Sequence, residues 1–199
     1  MFGKRTAKFL VLVAVLVTVP LSAVAVAAKI PDPAMTSRAA DGAFVVEVAE
    51  DTTRFVLDML NPHEDGMPAY GNPFITQGYI YPEGTLDGSN GVLPSGEPEF
   101  PDQVLGEWTC YGWFIGDGAY TESGEAVVST QVFKFYGEDG DSTMVSNGFE
   151  LAEVGVQVTR VLAGGTGTYQ GTSGIQVQEL LGFTDAMGVN LRVAFQLEG

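Results

Sequence analysis

RVLAGGTGTYQGTSGIQVQELL, residues 160–181, sets Gly164, Gly165, Gly167 and Gly171 between two runs of β-branched and apolar residues. A phosphate loop needs G-x-x-x-x-G-K-[ST] between a strand and a helix, and this stretch has neither the lysine nor a helical period after it. A dinucleotide fingerprint needs G-x-G-x-x-G opening a helix. Here Gly165 and Gly167 are followed by Gly171, which misses that spacing, and IQVQEL alternates as a strand does. The stretch therefore reads as a β-hairpin whose glycines supply backbone conformations closed to other residues.

Working outward, strand signals dominate. Phe44 to Val48, Phe74 to Tyr81, Val104 to Ile115, Glu125 to Tyr136, Thr143 to Phe149, Val154 to Leu162, Gly174 to Leu181 and Asn190 to Leu197 are rich in Val, Tyr, Phe, Thr and Trp. GEDGD (137–141) and FTDAMG (183–188) carry turn chemistry between them. TTRFVLDML (52–60) is ambiguous, since its apolar spacing admits a helical turn or an extended segment. Short connections between successive strands predict an all-β, eight-stranded antiparallel up-and-down barrel, because closure removes exposed edges. A β-sandwich is the main alternative.

The chain has 199 residues and a net charge of −16. Lys4, Arg5 and Lys8 precede an apolar run from Phe9 to Val19, Pro20 interrupts it, and Ala25-Val26-Ala27 offers a cleavage pattern, so residues 1–28 read as a signal peptide. Pro20 and the alanine-rich end favour cleavage over a membrane anchor of similar length. Residues 29–42 read as a flexible linker and residues 43–199 as the barrel domain. The expected location is secreted, periplasmic or extracellular, with no stable membrane span after cleavage. All the acidic residues and only six of the nine basic ones lie beyond residue 28, leaving −19, which excludes electrostatic attraction to nucleic acid. A single cysteine, Cys110, allows no internal disulfide.

RVLAGGTGTYQGTSGIQVQ, preceded by TQVFKFYGEDGDSTMVSNGFEL and closed by VNLRVAFQLEG, resembles the C-terminal half of the allene oxide cyclase and dirigent barrel superfamily. The resemblance spans residues 74–199 and implies an eight-stranded antiparallel barrel. It also implies a possible homotrimer. By the same resemblance Cys110 lines the cavity, and Glu47 in FVVEVAED falls where the cyclases keep an acidic residue on the first strand, so these two are the catalytic candidates. The sequence departs from the cyclases at Ala49, where their asparagine is expected, and offers no match for their other polar positions.

In LGEWTCYGWFIGDG (105–118), alternation sends Trp108, Cys110, Gly112 and Phe114 to one face and Thr109, Tyr111, Trp113 and Ile115 to the other. Both faces are bulky, which fits one lining a lumen and the other meeting a subunit. Trp108 and Phe114, with Phe133 and Phe135 of the aromatic strand, are the apolar ligand-binding candidates. Arg160 and Arg192 stand among apolar neighbours and either hold a ligand carboxylate or phenolate or pair with Glu150 or Glu179. Cys110 is a reactive thiol or a small buried hydrophobe, and Glu47 a catalytic or a paired carboxylate. No metal site and no cofactor are expected: His63 stands alone, and GEDGDS lacks calcium-loop spacing. The long loop 83–102 reads as a lid at one barrel mouth. The function expected is binding of an apolar or phenolic small molecule in the lumen, without catalysis or with unknown activity. The alternative is a cyclase or dirigent-like enzyme, an isomerase in class, that directs a reactive apolar intermediate by positioning.

Overall fold

A computed structural model describes residues 43–198. The signal peptide and the linker read from the sequence lie outside these residues. Eight strands follow one another around the ring: β1 (Ala43–Leu57), β2 (Pro73–Pro82), β3 (Gly106–Phe114), β4 (Glu125–Phe135), β5 (Ser142–Leu151), β6 (Gln157–Thr166), β7 (Ser173–Phe183) and β8 (Val189–Glu198). Each pairs antiparallel with its neighbour, and β8 returns to β1 with Val46 opposite Val193, so the barrel is closed. The sandwich alternative is thereby excluded.

The ambiguous segment 52–60 is extended as far as Leu57, because β1 continues past an irregularity in its pairing with β2 between Asp51 and Val56. The opening glycine stretch is a hairpin joining β6 and β7, closed by a single 3-10 turn at Gly167–Tyr169. Gly165 must be glycine, since a Cβ there would stand 2.4 Å from the Thr143 carbonyl oxygen and 2.7 Å from the Tyr169 Cβ.

Inward positions divide along the barrel axis. At one end Phe44, Phe133, Phe135, Phe195 and Tyr169 pack ring against ring, with the Phe133 and Phe195 centroids 5.0 Å apart at 89°. Phe133 and Phe195 are fully buried, each contributing about 1.5–3 kcal/mol of burial. That end is a plug.

The loop after β2 does not close a mouth. It lies as a strap across the outer wall, where Leu86, Val92, Phe100 and Val104 pack on the outward side chains of Ala49 and Tyr81. Tyr81 Oη donates to the Gly91 carbonyl at 2.6 Å and Tyr79 Oη to the Gly96 carbonyl at 2.9 Å. The lid expected at 83–102 is corrected accordingly: its apolar residues had an apolar outer row of β1 and β2 to cover.

Candidate functional site

The other half of the lumen is hollow. A cavity of about 400 Å³ opens toward the end opposite the plug, walled by Phe74 of β2, Phe114 of β3, Val127 of β4, Val158 of β6 and Leu191 of β8. Alternation along β3 places Trp108, Cys110 and Phe114 on this wall, while Tyr111 and Trp113 face outward and stay about half exposed.

Between plug and cavity lies a polar floor. Gln176 Nε2 donates to Gln131 Oε1 at 2.8 Å, Gln131 Nε2 to Gln178 Oε1 at 2.8 Å, and Gln178 Nε2 to Glu150 Oε2 at 3.2 Å. Ser129 Oγ also donates to Glu150 Oε1, and the Cys110 thiol approaches the same oxygen at 3.3 Å. Behind Glu150 stands Arg160, whose side chain is fully buried and lies 3.8 Å from it. Arg160 donates to the Phe149 carbonyl at 2.9 Å and to the carbonyl and Oγ of Ser129, both at 3.0 Å. It thereby ties β4, β5 and β6 together. Gly148 leaves room for it, because a Cβ there would come within 3.1 Å of the Arg160 Cγ.

Glu50, on the inward row of β1 with Val46 and Val48, faces the cavity from the opposite wall and accepts the Val189 N–H at 2.9 Å. Burial pushes its carboxyl above the usual 4.5, and the charges of Glu150 and Asp51 push the same way against hydrogen bonds from Thr76 and Val189. Burial, then the Glu150 charge, raises the Cys110 thiol well above its usual range, so Cys110 has the character of a neutral thiol at neutral pH. Burial lowers the Arg160 guanidinium, and Glu150 partly offsets this.

No family model and no curated protein matches the sequence. Solved structures do. The pterocarpan synthase dirigent protein PsPTS1 superposes with a TM-score of 0.55 at 12% identity, covering 79% of this chain and 96% of that one. A second pterocarpan synthase dirigent protein, GePTS1, gives 0.55 at 11% identity over 78% of this chain and 82% of its own. The fold is that of the dirigent-like barrels. A pyocyanin demethylase overlaps more loosely, with a TM-score of 0.48 at 10% identity, covering 78% of this chain and 99% of that one.

Within this barrel the residues singled out from the sequence separate into three places. Trp108, Cys110 and Phe114 line the cavity, and Arg160 stands behind its polar floor, paired with Glu150. Phe133 and Phe135 do not reach the cavity; they belong to the plug, because the lumen is packed solid at that end. Glu47 and Arg192 do not face the lumen at all. Both sit on outward rows, where Glu47 accepts the Leu86 N–H at 2.8 Å and pairs with Arg192 at 3.4 Å, while Arg192 also approaches Glu83 at 3.9 Å. Glu47 is a clasp for the strap, and its place facing the lumen is taken by Glu50.

The mouth of the dirigent-like barrel is roofed by loop 58–72 and the connection from β3 to β4. Met67, Pro68, Gly118 and Ala119 all reach the cavity. Ala119 N–H donates to the Pro68 carbonyl at 2.9 Å, Tyr120 Oη donates to Asp65, and His63 Nε2 meets the Asp117 carbonyl at 3.1 Å. His63, which stands alone as a candidate metal ligand, is part of this latch.

Proposed function

We propose that this barrel binds an apolar small molecule in its lumen, with the ring systems of the mouth half enclosing the ligand body and the Glu50–Glu150 floor orienting it. The single observation that carries this reading is the cavity of about 400 Å³, apolar along its walls and ending on buried polar groups. A chamber of that size, apolar along its walls with a few convergent polar groups, has the size and lining of a small-molecule site. N-phenyl-1-naphthylamine, a neutral apolar probe whose emission rises in dry surroundings, should bind with one site per chain. Val127→Trp, which fills the cavity from β4, should abolish that signal; equal binding by both proteins would refute lumenal occupancy.

A second reading is favoured by one observation. Glu50 is held on the protonated side of its usual range while Glu150 accepts three donors opposite it. An acid that holds its proton more tightly than usual, facing a carboxylate across an apolar chamber, suits proton transfer or charge stabilisation during cyclisation of a bound intermediate. Positioning and water exclusion would carry most of such a reaction.

We further propose that the barrel acts outside the cytoplasm, a reading supported by the signal-peptide pattern of residues 1–28. Assembly with copies of itself is proposed through the outer wall of β2 to β6, where Ile75 stands opposite Tyr111, and Trp113, Val128 and Phe149 form a neighbouring row. Trp113 is 51% and Val161 56% exposed there, an apolar surface of the kind that subunits cover.

A further inference from the structure

Among the described residues the ionisable side chains lining the cavity are Glu50, Glu150 and the Cys110 thiol, with no Lys, Arg or His. The two acids stand on β1 and β5, which are opposite staves in a ring of eight. Arg160 does not meet a ligand. Its nitrogens are directed at Ser129, Ser146 and the Phe149 carbonyl, and it reaches Glu150 from behind. A second, independent feature marks the same chamber as incomplete. Trp108 is 1% exposed and lines the cavity, and its Nε1–H has no hydrogen-bond partner among the described residues.

A hydrocarbon filling this chamber would leave the Trp108 indole N–H unpaired and Glu50 with no partner from the ligand side to add to the Val189 N–H. A carboxylate or phenolate would add a negative charge to a floor whose one buried cation among the described residues, Arg160, is already engaged by protein acceptors. An ammonium group meets neither objection. We infer that the ligand is an apolar amine, with its aromatic or alicyclic body in the mouth half, its protonated nitrogen between Glu50 and Glu150, and an acceptor atom or ring edge against the Trp108 indole N–H. This rests on the lumenal binding proposed above and names the chemical class of its occupant. It also assigns Arg160 a positioning role: its charge balances Glu150 and holds that carboxylate at the ligand.

The charged and titratable groups around Glu50 are Glu150 and Cys110 across the lumen, Asp51 beside it on β1, and Arg160 behind Glu150. Burial raises the Glu50 carboxyl and a bound cation favours its ionised form, so amine binding weakens as the pH falls through the Glu50 titration.

Isothermal titration of the protein at neutral pH with 1-naphthylmethylamine, 1-naphthalenemethanol and 1-naphthoic acid separates the possibilities, because the three share one skeleton. The amine should bind at least about tenfold more tightly than the alcohol, with the acid weakest. Glu50→Gln, which breaks no ion pair, should reduce the amine-over-alcohol ratio to about threefold or less. Glu150→Gln should reduce the ratio as well, with circular dichroism reporting that the barrel persists. Equal binding of amine and alcohol, or preference for the acid, overturns the amine class and leaves lumenal binding standing. Failure of all three and of N-phenyl-1-naphthylamine overturns both.

Discussion

Arg160→Met removes the charge that balances Glu150 while keeping an unbranched apolar stem of similar reach. The wild-type guanidinium makes three bonds of 2.9–3.0 Å, to the Phe149 carbonyl and to the carbonyl and Oγ of Ser129. Hydrogen bonds to charged groups contribute about 1.5–3 kcal/mol each, so the lower bound is about 4–5 kcal/mol before packing by the thioether is credited. Breaking a buried ion pair from one side gives about 3–5 kcal/mol independently. Glu150 is only 16% exposed at its side chain, so water relieves little of this. The expected loss is therefore about 4–5 kcal/mol, where the two estimates overlap, a large share of the roughly 5–15 kcal/mol that holds a domain together. Urea unfolding followed by tryptophan fluorescence measures it. The double variant Arg160→Met/Glu150→Gln should recover at least about 1 kcal/mol relative to the sum of the single changes, since it no longer leaves a dry carboxylate unbalanced. A loss below about 1 kcal/mol for the single variant, or strict additivity in the cycle, would show that Arg160 is not what steadies the floor.

Three further outcomes follow from the same geometry. A carboxyl whose native value is raised binds its proton more tightly when folded, so the Glu50 contribution is intact below pH 4.5 and is lost as pH climbs through the raised value. Glu50→Gln should flatten that slope and stabilise the protein at neutral pH; a stability difference between the two proteins that is constant from about pH 4 to pH 8 would refute it. Gly118→Ala places a Cβ 2.3 Å from the Pro68 carbonyl at a φ of 59°, so it should lift the mouth loops at a cost of about 1–2 kcal/mol and speed probe dissociation in stopped flow. An unchanged dissociation rate would mean that these loops do not gate the cavity. Trp113→Glu should shift the mass measured by analytical ultracentrifugation toward the single chain, and an unaltered assembly would remove the β2 to β6 wall from consideration.

The hairpin glycines, the strand count and the closed ring were legible in the sequence because each rests on local patterning: period-two alternation, turn residues and short connections. The alternation of Trp108, Cys110 and Phe114 was legible for the same reason. Glu47 was not separable from Glu50, since FVVEVAED carries acids and apolar residues on both rows, and only the strap decides which row is outside. The signal was present in another place. A connection carrying Leu86, Val92 and Phe100 needs an apolar wall to lie on, and the outward row with Ala49 answers it. Phe133 and Phe135 read as ligand contacts because alternation gives the face of a side chain and not its depth along the axis. Glu150 was named only as a partner for Arg160, and the glutamines at 131, 176 and 178 were passed over, since amides in strands are ordinarily solvated. Their shared inward parity was the available clue.

The arrangement divides labour along one axis. The plug lies at the end away from the mouth, and neither its rings nor the strap line the cavity, so both set stability without touching a ligand. The floor is polar but supported: Glu150 is fixed through Ser129, Gln178 and Arg160, and Glu50 through the Val189 backbone, so neither carboxyl needs to be ordered when a ligand arrives. Because β1 and β5 are opposite staves, the gap between the two acids is set by closure of the ring, and the Phe44–Phe195 and Phe133–Phe195 contacts hold that closure from the plug end. Loss of plug packing should therefore weaken binding at a distance, without altering any residue of the cavity wall. Such coupling follows from preorganisation: a ligand gains affinity in proportion to the ordering that the empty barrel has already done.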